Sequence, residues 1–316
     1  MTISLDGSRD APLMLRPELL LAGYTDKAIA RLLKWGQWVR VRNGAYTEGA
    51  AWTALDEAGR HLLRARAVVA QARTPVIVSH TSGLPFFGAP LWGLDLSLVH
   101  VTRRDGRTGR KEAGVDQHRG RLIEGDVVRR VGVDVMSPTR LALEVTMVAG
   151  VEPSLVVVND LLHRKLTTQF SLAARYDAMG LWPWTLNTDI VLRLADPRIE
   201  SVGESRTYLL CFRQRLPMPE PQYEITDANG RVVACVDFAW PELGVFLEFD
   251  GKVKYEKFLK PGERASAVVV REKKREDLIR RLTGWRCIRL TWADLEHPEQ
   301  TAAMIRSVLY PNVSAE

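Results

Sequence analysis

Cysteine is scarce in this chain and never closely paired. Cys211, Cys235 and Cys287 are the only three in 316 residues. Their odd number and wide spacing exclude a disulfide framework and a thiolate zinc site. Free thiols buried among apolar neighbours are expected instead, in keeping with a reducing cytoplasm. Histidine is also sparse, with six residues, and none is paired at the spacing of a zinc-binding helix or finger, so a zinc site is not expected. Long apolar runs are missing too. No window approaches 18 uninterrupted apolar residues, and the opening MTISLDGSRDAPLML lacks a basic start followed by an apolar stretch. Neither a membrane span nor a secretory leader is expected, and the location expected is cytoplasmic.

What is present is a chain with 46% hydrophobic and 26% charged residues, enough apolar material for more than one core. The net charge is +6, which permits an anionic partner. Its placement says more than its size. Residues 254–289 hold 12 basic against 5 acidic side chains, and a polyanion contact is expected there first.

Near the N-terminus, residues 16–22 read as a short helix followed by Gly23-Tyr24. Thr25 then caps a helix over 26–34, with Ile29, Leu32 and Leu33 on its apolar face. WVRVRNGAY alternates apolar and basic residues up to the turn pair Asn43-Gly44, a hairpin signal. Helix, turn, helix, hairpin is the order of a winged-helix module. Lys27, Arg31 and Lys34 on its second helix, with Arg40 and Arg42 on the wing, suit a phosphate backbone and a groove. Adaptor use of the same fold remains the alternative.

The middle of the chain reads as α+β. A helix is expected over 54–72, then an apolar strand leading into Ser79-His80-Thr81-Ser82. Ser79 and His80 would leave an extended strand on opposite faces, and no acid can be assigned to orient them, so a catalytic triad is not expected. His80 and Thr81 are expected to satisfy backbone groups at a helix start. Nine basic residues between Val101 and Val131 form either an auxiliary backbone-contacting surface or a solvated loop. Helices are expected over 139–147, after Ser137-Pro138, and over 156–166. Trp182 and Trp184 are read as packing residues.

The C-terminal segment orders as helix, three strands, helix, strand, helix. Glu204 stands near the start of the first helix, Asp237 on the second strand, and Glu248 and Asp250 on the third. Period two puts Glu248 and Asp250 on one face and Leu247 and Phe249 on the other. If the hairpin aligns Asp237 with them, like charges crowd unless a divalent cation intervenes. Oxygen-only ligation by Asp237, Glu248 and Asp250 favours Mg2+ or Mn2+ over zinc. Such a site suits phosphodiester hydrolysis. Pairing of these acids with arginine or lysine on neighbouring strands is the plainer alternative.

GESRTYLLCF, VDFAWPELGVFLEFDG and GWRCIRLTWADL together resemble an actinobacterial family whose C-terminal domain is like the very-short-patch-repair endonucleases of the PD-(D/E)XK superfamily. LLAGYTDKAIARLLKWGQWVRVRNGAYTEG, followed by SHTSG, resembles the winged-helix domain of AbiEi-type antitoxins, which repress their own operons in type IV toxin-antitoxin phage-defence systems. The first resemblance implies that Glu204 is the helix glutamate of the nuclease fold, Asp237 its central metal-binding aspartate and Glu248 the glutamate of the next strand. Asp250 stands where many members carry a lysine. The repair-endonuclease branch often has a histidine soon after the glycine, but this chain reads GKVKY, and Lys252 becomes the candidate cation for the scissile phosphate. Lys273, Lys274, Arg275 and Arg280 are expected to hold the DNA backbone, and Arg289 to point toward the acids. Weakened or absent cleavage is compatible with the departure at Lys252 and Lys254.

The expected architecture is α/β multidomain: a winged helix over 1–52, an α+β middle region over 53–198 and a PD-(D/E)XK-like mixed sheet flanked by helices over 199–316. DNA is the expected partner. A homodimer would suit a palindromic site, and the antitoxin resemblance adds a cognate protein toxin. Two functions stay open, a metal-dependent nuclease and a non-catalytic regulator on a degenerate nuclease fold.

Overall fold

A computed structural model describes residues 11–180, 185–251, 275 and 277–311. The chain divides into two compact units that part between Ala195 and Asp196, and the N-terminal and middle segments share the first of them. Among the described residues, no helix is long and apolar enough to cross a membrane.

The first unit begins with β1 (Met14–Leu15), α1 (Arg16–Leu21), α2 (Asp26–Lys34), β2 (Trp38–Arg42) and β3 (Ala45–Glu48). Thr25 caps α2 as its type and position imply, its hydroxyl accepting the Ala28 N–H at 3.2 Å. The two helices meet at Gly23, whose φ of 89° explains the glycine there. The sheet order is β1-β3-β2, all antiparallel. Leu19, Ile29 and Tyr46 form its small core, with Leu33 and Trp38 packed alongside.

A short α3 (Gly49–Ala54) precedes the long α4 (Glu57–Gln71). The single helix expected over 54–72 therefore starts three residues later, because the Asp56 side chain accepts the Gly59 N–H at 2.8 Å and caps a new helix. A six-stranded mixed sheet follows, in the order β6-β7-β5-β4-β9-β8. Its strands are β4 (Val76–Val78), β5 (Val99–Arg103), β6 (Lys111–Glu112), β7 (Val115–Arg119), β8 (Val127–Arg130) and β9 (Val133–Met136), and the short α5 (His80–Gly83) follows β4. Helices α6 (Pro138–Val148), α7 (Val151–His163), α8 (Gln169–Met179) and α9 (Leu186–Leu194) complete the unit. Ser137 caps α6 with Pro138 at its first position. Helix α7 starts five residues before the apolar pattern suggests. Pro153 lies in its first turn, where a missing N–H costs nothing.

The second unit runs α10 (Val202–Arg213), β10 (Glu220–Thr226), β11 (Val232–Trp240), β12 (Val245–Phe249), helical residues 277–283 (α11), β13 (Arg286–Leu290), α12 (Trp292–Leu295) and α13 (Pro298–Leu309). The expected order is present. The sheet order β10-β11-β12-β13 is an antiparallel meander with β13 added parallel to β12. Phe238, Leu247, Phe249, Ile288 and Leu290 pack one face against Leu210, Cys211, Ile305 and Leu309 from the helices. Gly203 fixes the approach of α10, since a Cβ there would lie 2.0 Å from the Phe249 ring.

Of the thiols, only Cys211 is buried, and its burial pushes the pKa up to about 12. Cys235 is exposed, correcting the expectation of three buried thiols. It stands at an exposed position of β11, although its sequence neighbours Ala234 and Val236 are buried.

Candidate functional site

In the second unit, strand register carries the chemistry. The pairs Phe238↔Leu247 and Leu247↔Ile288 put β11, β12 and β13 side by side, with Glu248 paired to Arg289. Glu248 and Arg289 therefore share the face opposite Leu247 and Phe249. The β11–β12 ladder ends at Phe238↔Leu247. Beyond it the Asp237 carboxylate takes the place of a ladder acceptor, with Oδ2 receiving the Phe249 N–H at 2.7 Å. The strands part at the point where the acids stand.

Glu204 reaches this place from the first turn of α10. It is 4% exposed, yet its carboxylate accepts bonds from the Ser201 hydroxyl at 2.6 Å, the Glu200 N–H at 3.1 Å and the Gln222 side-chain amide at 3.1 Å. Ser201 also accepts the Glu204 N–H at 3.1 Å, a reciprocal cap that locks the side chain in place. Burial raises the Glu204 pKa first, and the charge of Asp237 raises it further.

The residues expected to act together separate into groups. Glu204 and Asp237 are electrostatically coupled, and Asp250 continues the strand with its N–H bonded to the Leu290 carbonyl at 2.7 Å. Glu248 forms an ion pair with Arg275, whose Nη2 lies 2.9 Å from Oε1. Arg275 also donates to the Cys235 carbonyl at 2.9 Å. This residue, expected on the DNA backbone, is thus spent on the acidic face itself. Arg280 and Arg289 are exposed. Lys252, Lys273 and Lys274 lie outside the described residues.

On the N-terminal module, Lys27, Arg31 and Lys34 are exposed and fall at i, i+4 and i+7 along α2, one helical face. Arg31 stacks over Trp35, 5.3 Å from the ring centroid, and Trp35 is itself 62% exposed. Arg40 is exposed, while Arg42 is half-buried, which lowers its pKa. Four of the nine basic residues of the middle stretch are paired with acids: Arg103 with Asp105, Arg104 and Arg129 with Asp134, and Arg110 with Glu112.

The tightest metal-ligating geometry stands in the middle sheet, where none was expected. Among the described residues, one group of three or more His, Cys, Asp or Glu has all its ligand atoms within 4.8 Å of one another: His100, Asp116 and His118. These residues can hold a metal ion. The acids of the second unit are spaced more widely. Seventeen residues separate His100 from His118, and no short spacing reveals the pair. Parallel pairing of β5 with β7 brings them together, His100 opposite Asp116 and Thr102 opposite His118.

Beside His118 lies a cavity of about 450 Å3, lined also by His80, Arg119, Arg121, Arg140 and Glu144. Strand β4 ends before Ser79, so Ser79 and His80 do not diverge as strand neighbours. The Ser79 hydroxyl lies 2.9 Å from His80 Nδ1, and Glu144 lies 3.6 Å from the same nitrogen. An acid is present after all. A relay needs serine and acid on opposite ring nitrogens, and here both approach Nδ1. The His80 N–H does bond Glu144 Oε2 at 3.0 Å, holding the strained φ of 52°. Beneath the cavity Arg140, 1% exposed, bridges Glu144 and Asp126, and Arg175 pairs with Asp126 from α8.

A scan of protein-family models and a search of curated proteins find no match to this chain.

Proposed function

We propose that this protein binds DNA through an N-terminal winged helix of the AbiEi-antitoxin kind, and hydrolyses phosphodiesters at a PD-(D/E)XK-like site in its second unit. The observation that supports this reading is the approach of Glu204 on α10 to Asp237 on β11, where β11 and β12 part, with Glu248 on the neighbouring strand. The order helix, three-strand meander, helix, parallel strand supports the same reading. Donor chemistry fits Mg2+ or Mn2+, because all the candidates are carboxylates, and burial first and the neighbouring Asp237 charge second raise the Glu204 pKa. Asp237 and Glu248 would hold the ion, with Asp250 beside them. A bound ion there would lower the pKa of a water and neutralise the scissile phosphate. Glu204 orients the site through Ser201 and Gln222. Arg280 and Arg289 supply exposed positive charge for the DNA backbone. Phage-defence linkage, a homodimer and a cognate toxin belong to this proposal through the antitoxin resemblance.

One observation favours the second reading, a non-catalytic DNA-binding regulator. Arg275 already provides the countercharge that Glu248 needs, so a metal competes with a guanidinium for the same carboxylate. Incubation of supercoiled plasmid with Mg2+ or Mn2+ separates the two. Metal-dependent nicking that disappears in both Asp237→Ala and Glu248→Ala supports the nuclease. Wild type that shifts promoter DNA yet leaves every substrate intact would establish the regulator.

A further inference from the structure

We propose that His100, Asp116 and His118 form a binding site for a zinc-class transition-metal ion in the middle sheet. The site is built by sheet register. His100 on β5 and Asp116 on β7 are direct partners in a parallel pair, and His118 lies two residues further along β7, on the same face as Asp116. His100 Nδ1 and His118 Nε2 stand 2.8 Å apart, and the Asp116 carboxylate lies 3.9 Å from the same His118 nitrogen. A tetrahedral ion at about 2.0–2.1 Å from each imidazole nitrogen needs those nitrogens roughly 3.3 Å apart. An opening of about 0.5 Å, within ordinary ring motion, meets that demand.

Donor type selects the metal. Two imidazoles and one carboxylate suit zinc, cobalt, nickel or copper, and they suit magnesium and calcium poorly. Two features hold the cluster in place. The Ser82 hydroxyl receives the His100 N–H at 2.8 Å, and the His80 ring stacks on His118 with centroids 3.7 Å apart. His118 also lines the adjoining cavity, which gives the ion an entry path and leaves a coordination position for water or an anionic oxygen. Exposed Arg119 and Arg121 line the same cavity.

The test uses the full chain, stripped with a chelator and titrated with Zn2+ against a chromophoric competitor, with Co2+ as the spectroscopic probe. One equivalent of zinc and a four-coordinate Co2+ absorption band are expected. His118→Gln should weaken binding by at least about tenfold, as loss of one of three ligands implies. Asp116→Asn, which preserves size and hydrogen bonding, should weaken it in a folded protein, as judged by circular dichroism. His163→Gln should bind zinc as wild type does. Failure of wild type to take up a stoichiometric ion, or uptake undiminished in both His118→Gln and Asp116→Asn, would overturn the site. None of these readouts depends on DNA cleavage, so this site and the nuclease reading fail separately.

Discussion

Two sheets in this protein carry ionisable side chains across neighbouring strands, and they balance the charge in opposite ways. In the second unit the row is acidic, and it is tolerated by dispersing the charge. Asp237 accepts a backbone N–H, Glu248 takes a guanidinium, and Glu204 is pushed toward its neutral form. In the middle sheet the row is mostly imidazole, and neutral rings can touch. His100 and His118 share a hydrogen bond, and His80 stacks on them. Like charges need a cation to come close, whereas neutral ligands can wait in contact for one.

The comparison breaks most severely at Arg140, the cation beneath the histidine cavity. Arg140→Met leaves Glu144 and Asp126 short of a buried partner. A loss of about 3–5 kcal/mol is expected in urea unfolding, and a change under about 1 kcal/mol would show the network to be dispensable.

Acid should next separate the regions. His61 is buried, and its pKa is lowered to about 4 by burial first and by Arg64 second. Below pH 6.5 the unfolded chain takes up a proton that the fold refuses. Stability is therefore full above pH 6.5, falls as the pH drops toward 4 and then levels off, by about 3 kcal/mol from this group. His61→Gln should flatten that limb in a pH series of melting curves.

Gly203→Ala tests the acidic side through packing alone. A Cβ 2.0 Å from the Phe249 ring forces α10 off the sheet, at a cost of about 1–3 kcal/mol, and it should abolish any metal-dependent cleavage by displacing Glu204. Arg275→Gln removes the competing guanidinium. The variant should bind Mn2+ several-fold tighter than wild type by calorimetry, and equal affinity would deny the competition. The smallest effect is expected at Lys27→Ala, which should weaken DNA binding uniformly across sequences and reduce the salt slope by about one unit.

Local signals in the sequence predict the local structure well. Thr25, Ser137 and Ser201 cap helices where their type and position imply, and Asn43-Gly44 makes the expected turn. Period two on FLEFDG identifies the acidic face of β12, because alternation is a property of one strand. Less was legible where partners come from distant segments. Arg275, read as a DNA contact from its basic neighbours, turns to Glu248 because β12 and the helical segment near it approach in the fold. Cys235 has apolar neighbours in sequence but lies on the exposed side of its strand.

The histidines show the limit most clearly. With 17 residues between His100 and His118, no motif contains both, and composition argued against a histidine site. The sequence by itself determined where helices begin, which side chains alternate along each strand and which segments carry charge, since these depend on residues within a turn or two of one another. Only the tertiary structure decided which strands lie side by side. Register between distant strands sets which ionisable groups meet, and with it where charge must be neutralised and where a metal ion fits.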